Sequence, residues 1–490
     1  MSRSVSVAQI AQALADAGLL AARRRELPAR ISGITDDSRA VERGAAFVAV
    51  RGTQRDGHTY LAAAEQAGAT LAIVEDESAT DLPSLVVRDG RRAAAVAAAA
   101  YYAEPASFLR LVGVTGTNGK TTTVGMLRHL LDAPGARAAS IGTLGVVVGS
   151  AGEPLPGGGG LTTPGPIELQ RLLRALVDAG VRSVAMEASS HALDQGRIEG
   201  LRFAAAVFTN LTRDHLDYHG TFDAYFAAKA ILASYLAVDG VLVTNADDAA
   251  WNGLPGVSRR LTFGVDAPFA DVRAEQVTFH PRGSRWTLAR RGVRADVSLP
   301  LIGDFNVANA LGAAAAAVAV GLDIPSVASR LASLPQVPGR LEILSEHPTV
   351  LRDYAHTPDA LERALRALRP FTSGRLIVLF GCGGDRDKGK RPMMATIAHQ
   401  LADAVVVTSD NPRTEDPERI LDDICAALPP GSYERIEDRR TAIATAIAMA
   451  DAARDVVLLA GKGHETYQIR GTTSYPFDEA AIVRGLLGAE

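Results

Sequence analysis

The sequence predicts a three-domain α/β protein: a small N-terminal α/β domain over residues 1–107, a central domain with a mostly parallel sheet over 108–338, and a Rossmann-like C-terminal domain over 339–490. Three observations carry this. A chain of 490 residues exceeds what one core organises, at about 150 residues per domain. Apolar strand-like runs alternate with helical stretches, the pattern of βα units on a parallel sheet. The alternation restarts twice, at Leu109 and again after Leu334–Arg340, whose two prolines and one glycine read as a hinge.

In the first domain the strands are expected at Ala46–Val50, Thr70–Val74 and Leu85–Val87, with helices at Tyr60–Ala67 and Arg91–Tyr102. The second opens with LRLVGVTGTNGKTTTVGMLRHLL, a strand, a glycine-rich turn and a helix. Strands then fall at Ser183–Glu187, Ala204–Thr209 and Gly240–Asn245, with a helix at Phe222–Leu236. Ala151–Gly160, dominated by Pro and Gly, is expected to be a loop without regular structure. Period-two stretches at Val272–Leu288 and Val293–Leu301 predict antiparallel strands, followed by a helix from Phe305 to about Val320. In the third domain the strands start near Thr349, Leu376, Val405 and Val456.

Composition narrows the function. Hydrophobic residues at 47% and charged residues at 22% fit globular cores and exclude overall disorder. A net charge of −4 argues against a general nucleic-acid or anionic-membrane binder. Two cysteines, Cys382 and Cys425, exclude a disulfide framework and a four-cysteine zinc site, and fit a reducing, cytoplasmic setting. No segment has the apolar length of a signal core or a membrane span.

The strongest local signal is Gly113–Thr121, GVTGTNGKT, between a strand and a helix. Glycines there let backbone amides approach phosphate oxygens, the helix N-terminus adds positive potential, Lys120 adds charge, and the hydroxyl of Thr121 or Thr122 can ligate Mg²⁺. Val114 stands at the first glycine position of the usual eight-residue pattern, with Gly113 one residue earlier. Glu187 closes an apolar strand at the edge where such sheets present ligands, and FTNLTRDHLDYHG brings Asn210, Asp214, His215 and His219 to the same edge. Mg²⁺ prefers oxygen, so Glu187 is the natural ligand and a histidine the less usual one. Lys229, in the Ala-rich helix AYFAAKAIL, reads by itself as a lysine snorkelling to solvent.

Taken together, these motifs resemble the Mur ligases, ATP-dependent amino-acid-adding enzymes of peptidoglycan precursor synthesis, over nearly the whole chain. GTNGKT at 116–121, FTNLTRDHLDYHG at 208–220, GDFNVANA with Asn306 and Asn309, VPGRLE at 337–342 and DYAHTPDAL at 353–361 stand in family order. DSRAVERGAAFVAVRG at 37–52, GCGGDRDKGKRP at 381–392, DNPRTEDP at 410–417 and GKGHE at 461–465 are similar to the branch that adds the third residue, where DNPR accompanies meso-2,6-diaminopimelate. The resemblance implies that UDP-N-acetylmuramoyl-L-alanyl-D-glutamate and meso-2,6-diaminopimelate are joined at the expense of ATP with Mg²⁺, by a monomer without nucleic-acid or membrane partners.

The resemblance also distributes roles. Gly116, Thr117, Asn118, Gly119, Lys120, Thr121 and Thr122 would cradle the ATP phosphates. Asn306 and Asn309 would face adenine, and Arg340, Asp353 and His356 the phosphate and ribose side. Phe305 stands where the family often has His. Thr121, Glu187, His215 and Lys229 would serve the metal ions, with Lys229 carbamylated by CO₂; a carbamate holds Mg²⁺ where an ammonium would repel it. Lys120, Glu187, His215 and Lys229 would form the catalytic set. Ser38 and Arg39 would meet the UDP, and Thr162, Thr163, Ser189, Gln195 and Arg197 the muramoyl dipeptide. On its own, Thr163 before Pro164 also reads as a helix cap. Arg386, Asp410, Asn411, Pro412, Arg413, Gly461 and Glu465 would hold diaminopimelate, the arginines pairing with carboxylate as planar forks. Such chemistry needs an activated carboxyl, so an acyl phosphate and hinge closure near Ser107 and Pro335–Gly339 are expected. A lysine-adding ligase at the same step, a folylpolyglutamate-type ligase, a non-catalytic nucleotide-binding regulator and a P-loop kinase are the rival readings.

Overall fold

The computed structural model describes residues 4–52, 55–158 and 160–488. The chain is a three-domain α/β protein whose residues gather into two compact units, one running to Phe263 with Gly312–Asp323 added, the other made of Gly264–Leu311 and the chain from Ile324 on.

The first unit holds two main sheets and a short two-stranded ribbon, Val5–Ser6 with Arg30–Ile31. Helix α1 (Val7–Asp16) precedes β1 (Leu20–Arg24), β2 (Ile34–Thr35), β3 (Ala46–Val48), β4 (Leu71–Val74) and β5 (Ser84–Val87), with α2 (Leu61–Gln66) and α3 (Gly90–Tyr101) among them. The strands lie in the order β1-β5-β4-β3-β2; β2 to β5 run parallel and β1 pairs antiparallel with β5. The alanine face of α3 (Ala93, Ala94, Ala97, Ala98) is buried in one cluster with Ile10 and Leu14 of α1, small residues letting the helices close up.

The second sheet begins with β6 (Arg110–Thr115), the loop 116–119 and α4 (Lys120–Leu131). There follow β7 (Arg137–Gly142), β8 (Gly145–Val148), β9 (Glu153–Leu155), α5 (Pro166–Asp178), β10 (Val181–Glu187), α6 (Ser190–Asp194), β11 (Phe203–Phe208), α7 (Leu216–His219), α8 (Phe222–Ala230), β12 (Leu236–Asn245) and β13 (Arg260–Gly264). Strand order is β9-β8-β7-β10-β6-β11-β12-β13. From β7 to β13 all strands are parallel, and their near-continuous apolar runs follow from burial on both faces. Leu111, Met186, Phe203, Phe208, Tyr225 and Trp251 share its core.

Two expectations are corrected here. Part of Ala151–Gly160 is a strand, β9, paired antiparallel with β8; Pro154 is tolerated because β9 is an edge, where a missing N–H costs no ladder bond. Gly159 of that segment lies outside the described residues. The helix from Phe222 is α-helical only to Ala230; a tighter 3₁₀ run, Ile231–Tyr235, then buries Leu232, Ala233 and Tyr235 before β12 starts.

The second unit contains an antiparallel trio, β14 (Val272–His280), β15 (Gly283–Arg290) and β16 (Val293–Leu299). Next come α9 (Asp304–Ala319), whose C-terminal part from Gly312 belongs to the first unit, and α10 (Ile324–Leu331). The C-terminal elements are β17 (Glu342–Glu346), β18 (Thr349–Asp353), α11 (Pro358–Leu368), β19 (Leu376–Phe380), α12 (Lys390–Leu401), β20 (Ala404–Val407), α13 (Pro417–Cys425), β21 (Glu434–Arg435), α14 (Arg439–Ala448), β22 (Val456–Ala460), β23 (Tyr467–Arg470), β24 (Thr473–Pro476) and α15 (Glu479–Leu487). The sheet order is β17-β18-β22-β19-β20-β21, parallel except for β17; β23 and β24 form a separate hairpin. Alternate residues of the strands feed two cores. Val378, Phe380, Val407 and Leu458 pack with α11, α12 and α13, while Ile377, Leu379, Val406 and Val457 pack with α14 and α15. Both cysteines are free and buried in the first of these cores. Among the described residues no helix is long and apolar enough to cross a membrane.

Candidate active site

In the first unit the carboxyl ends of β10, β6 and β11 lie side by side, Glu187 level with Val114 and Phe208 level with Thr115. The turn after β6 is held by the turn after β11. Asn210 accepts from the Thr117 amide at its carbonyl (2.7 Å) and from the Asn118 amide at its Oδ1 (2.9 Å), and the Thr209 hydroxyl donates to Asn118 O at 2.7 Å. Gly116 adopts φ +145°, and a Cβ there would strike the Thr209 hydroxyl and crowd the Asn210 backbone. Gly116→Ala is therefore expected to weaken ATP binding about 10- to 100-fold, on the 1–3 kcal/mol scale of backbone strain. Calorimetric titration checks this; wild-type affinity in the folded variant would remove this loop from the phosphate site.

Lys120 curls over the loop and donates to Gly116 O at 2.9 Å and Thr117 O at 2.8 Å. Lys229 reaches the same Gly116 oxygen from α8 at 2.7 Å, with its ammonium 4.5 Å from the Tyr225 ring centroid. Lys229 is 1% exposed, which corrects its reading as a snorkelling lysine. The phosphate loop on one side and Tyr225, one turn earlier on α8, both lie against it. Burial, reinforced by Lys120 and opposed by Asp214, pushes its pKa well below the ordinary lysine value.

Glu187, 1% exposed, accepts from the Thr143 amide (2.8 Å) and hydroxyl (3.2 Å). The Thr143 hydroxyl also reaches Thr162 Oγ1 at 3.3 Å. Thr163 is not a helix cap: its hydroxyl donates to Glu187 O at 2.7 Å, and α5 starts at Pro166 with Gly165 as its cap. Thr163 joins Ser189, whose amide donates to Thr163 Oγ1 (3.1 Å), and Arg197, whose guanidinium donates to Thr163 O (3.0 Å) and Gln195 Oε1. Gln195 in turn donates to the Tyr218 hydroxyl at 3.1 Å. Beside this chain sits a ring cluster: His191 lies 4.8 Å from His215, 4.2 Å from Tyr218 and 5.4 Å from His219, centroid to centroid. Burial lowers the pKa of His215, and burial with two neighbouring histidines takes His191 down to about 4. Ser38 and Arg39 sit in a short helical turn after β2, where Arg39 is exposed and paired with Asp37 at 2.8 Å.

Among the described residues no three His, Cys, Asp or Glu side chains form a metal-holding group. The donors named from sequence are instead one carboxylate, Glu187, one hydroxyl, Thr121, one imidazole, His215, and the amine of Lys229. The two oxygen donors, Glu187 and Thr121, fit Mg²⁺, the His215 nitrogen is a less usual ligand, and Lys229 would fit only if it does not remain an ammonium.

In the second unit Asn306 and Asn309 are joined, Asn309 Nδ2 donating to Asn306 Oδ1 at 3.2 Å while Asn306 donates to Ile302 O. Arg340 stacks 4.7 Å over the Tyr354 ring, and Asp353 accepts from the Leu341 amide at 2.7 Å. Burial raises the Asp353 pKa against the pull of Arg340. His356 bonds Tyr354 O at 2.8 Å, and Lys390 donates to His356 O at 2.9 Å.

The remaining set gathers around the turns after β20 and β22. Asn411 Nδ2 donates to Glu465 Oε2 at 2.8 Å. Arg413, at φ +51°, directs Nη1 to Gly384 O (2.9 Å) and Asn411 O (3.4 Å). Pro412 packs its carbonyl against Gly384. Gly461 takes φ +115°, where a Cβ would meet Asp410 Oδ2. Arg386 is exposed and folded onto Asp385 O. Tyr225, Thr143, Thr209, His191 and Lys462 were not expected at the site; of these, Thr209 in FTNLTRDHLDYHG and Lys462 in GKGHE carried a local signal.

Family models match three stretches: "Mur ligase family, catalytic domain" at 30–105, "Mur ligase middle domain" at 114–317 and "Mur ligase, glutamate ligase domain" at 339–463. A UDP-N-acetylmuramoyl-L-alanyl-D-glutamate--2,6-diaminopimelate ligase of Synechococcus elongatus is 46% identical over 474 residues, covering 93% of each chain. The ligase of the same name from Geobacillus thermodenitrificans is 43% identical over 460 residues, 91% of this chain and 93% of its own. A solved structure bearing that name is 35% identical with a TM-score of 0.65, covering 94% of this chain and 95% of the other.

Proposed function

This chain belongs to the Mur ligase family, and from that premise we propose that it joins meso-2,6-diaminopimelate to UDP-N-acetylmuramoyl-L-alanyl-D-glutamate at the expense of ATP, as a cytoplasmic monomer serving peptidoglycan precursor synthesis. The observation that carries the choice of amino acid is the Asn411–Glu465 pair beside Arg413. An acidic and a basic reader in one cluster suit an amino acid whose far end bears both an ammonium and a carboxylate. Domain borders near 107 and 338 go with this reading.

A carboxylate does not acylate an amine near neutral pH, so the γ-phosphoryl group must first convert its oxygen into a leaving group. Lys120 and the loop 116–119 would hold the β- and γ-phosphates, leaving Gly116 O to Lys229. Burial lowers the Lys229 pKa, which favours the neutral amine; in that form its electron pair would attack CO₂, the N–C bond forms, one proton leaves, and a carbamate results. Thr121, Glu187, His215 and the carbamate would hold Mg²⁺, which when bound neutralises phosphoryl charge. Thr162, Thr163, Ser189, Gln195 and Arg197 would orient the dipeptide, with Ser38 and Arg39 on the uridine diphosphate. The diaminopimelate amine then attacks the acyl phosphate, forming the amide and releasing phosphate. Asn306, Asn309, Arg340, Asp353 and His356 would seat the adenosine.

Phosphate release from ATP, Mg²⁺ and the UDP-dipeptide tests the reading, with meso-diaminopimelate, L-lysine or no amino acid added. Stimulation by diaminopimelate with a tripeptide product supports it. Preference for L-lysine would keep the chemistry and overturn the amino-acid assignment, and released phosphate free of an oxygen isotope placed in the substrate carboxylate would sink the acyl phosphate.

A further inference from the structure

Lys462 has no place in the scheme above, yet it is a fully buried cation beside the residues assigned to diaminopimelate. It is 0% exposed. Its Nζ donates to Asn411 Oδ1 at 3.0 Å and to Tyr467 O at 2.7 Å, and it stands 3.5 Å from Glu465 Oε2 and 3.8 Å from Asp410 Oδ1. The rings of Tyr467 and Phe477 flank it at 6.0 and 5.9 Å. Two of the three ammonium donors go to protein oxygens, two carboxylates stand within 4 Å, and the side chain is fully buried, so this group acts through its neighbours.

Its influence runs through two neighbours. Asn411 Oδ1 accepts from Lys462 and from the Ile469 amide (2.9 Å), which forces the amide nitrogen toward Glu465 Oε2. Without the ammonium the amide loses one of the two donors that set its orientation. Glu465 thus has Oε2 engaged, leaving Oε1 to an incoming ammonium. The hairpin β23–β24 is tied to the same loop: Gln468 Nε2 donates to Asp410 O (2.7 Å), the Arg413 amide to Ile469 O (3.1 Å), and the Gly471 amide to Arg413 O (2.6 Å). From behind, the buried Arg439, paired with Glu479 at 2.8 Å, donates to Ser409 O and Ala460 O and braces both turns.

Charge gives the arrangement its selectivity. One ammonium between Asp410 and Glu465 leaves a single negative charge, which a ligand ammonium balances, while Arg413 answers a carboxylate. We propose that Lys462 is the positioning residue that sets amino-acid selectivity, orienting Asn411 and Glu465 and docking the Tyr467–Pro476 hairpin onto the loop that carries Arg413. The inference rests on the diaminopimelate reading of this site.

Steady-state kinetics of full-length Lys462→Met test it. The KM for meso-diaminopimelate is expected to rise about 10- to 100-fold, the usual cost of removing a supporting partner, with KM for ATP and for the UDP-dipeptide unmoved and the preference over L-lysine reduced. In a cycle with Glu465→Gln, the double variant should lose less than the product of the single losses, because both changes act through one contact. Equal rises in all three KM values, or strictly multiplicative losses, would show a merely structural lysine and overturn the proposal. If Lys462→Met does not fold, Gln468→Leu decides: it loosens the hairpin alone, and an unchanged diaminopimelate KM overturns the docking role. A wild type that ignores diaminopimelate sinks the reading and the inference together, whereas one that uses it beside an unaffected Lys462→Met sinks the inference alone.

Discussion

Lys229→Ala is expected to lower kcat by about three orders of magnitude while the protein stays folded and still binds ATP, the scale on which a pre-placed electrostatic group contributes to a charged transition state. Lys229 is buried on Gly116 O, the carbonyl that Lys120 also uses, so one phosphate loop carries two lysines of which only one can remain cationic at low cost. Wild type should carry the mass of one CO₂, which the variant should lack, and short carboxylate anions, filling the vacated space, should restore part of the turnover. Wild-type rates in Lys229→Ala, or a native mass without CO₂, would defeat the carbamate role. Stability should move the other way. An amine with a lowered folded-state pKa penalises folding fully below that pKa, and the penalty fades as pH rises to the unfolded lysine value. In CO₂-free buffer, Lys229→Met is therefore expected to be more stable than wild type, by a margin that shrinks toward alkaline pH in thermal melts.

The second large effect is expected at Arg413. Its guanidinium is held by Gly384 O and Asn411 O, and its backbone is strained into the left-handed region, a conformation retained where the surroundings demand it. Arg413→Met should raise the KM for meso-diaminopimelate about 10²- to 10³-fold, because a carboxylate would be buried without its fork-shaped partner. L-lysine, lacking that carboxylate, should lose nothing and compete better. Product analysis with both amino acids present reads the switch; an unchanged ratio would show that Arg413 does not read the distal carboxylate. Arg386, exposed and resting on Asp385 O, should matter far less.

The strand-turn-helix around Gly116 was legible because β6 is apolar on both faces and α4 follows at once. The third domain was legible for the same reason, in runs such as Leu376–Phe380 and Val456–Ala460. Strand β1, LAARR, was not, since it has neither alternation nor an apolar run and is held by its partner β5. Pro154 concealed β9 because edge position is a property of the sheet and not of the segment. At the site, clusters in one motif could be read, as with Asp410–Arg413. Lys229 was misread from local pattern because its partner, Gly116 O, is 113 residues away in the chain, and the cap reading that local pattern also offered for Thr163 fails because its hydroxyl turns to Glu187 O, 24 residues away. Lys462 was overlooked for a related reason: its worth lies in Asn411, 51 residues upstream.

The two cysteines give the second unit a built-in reporter. Cys382 and Cys425 are both buried in the core beneath β19, β20 and β22, and burial pushes the Cys382 thiol up to about 12. Thiolate is thus scarce and shielded in the native state, so alkylating agents must wait for that core to open. Labelling rates therefore clock the opening of this one unit, separately from the other, in the intact protein and without any engineered probe.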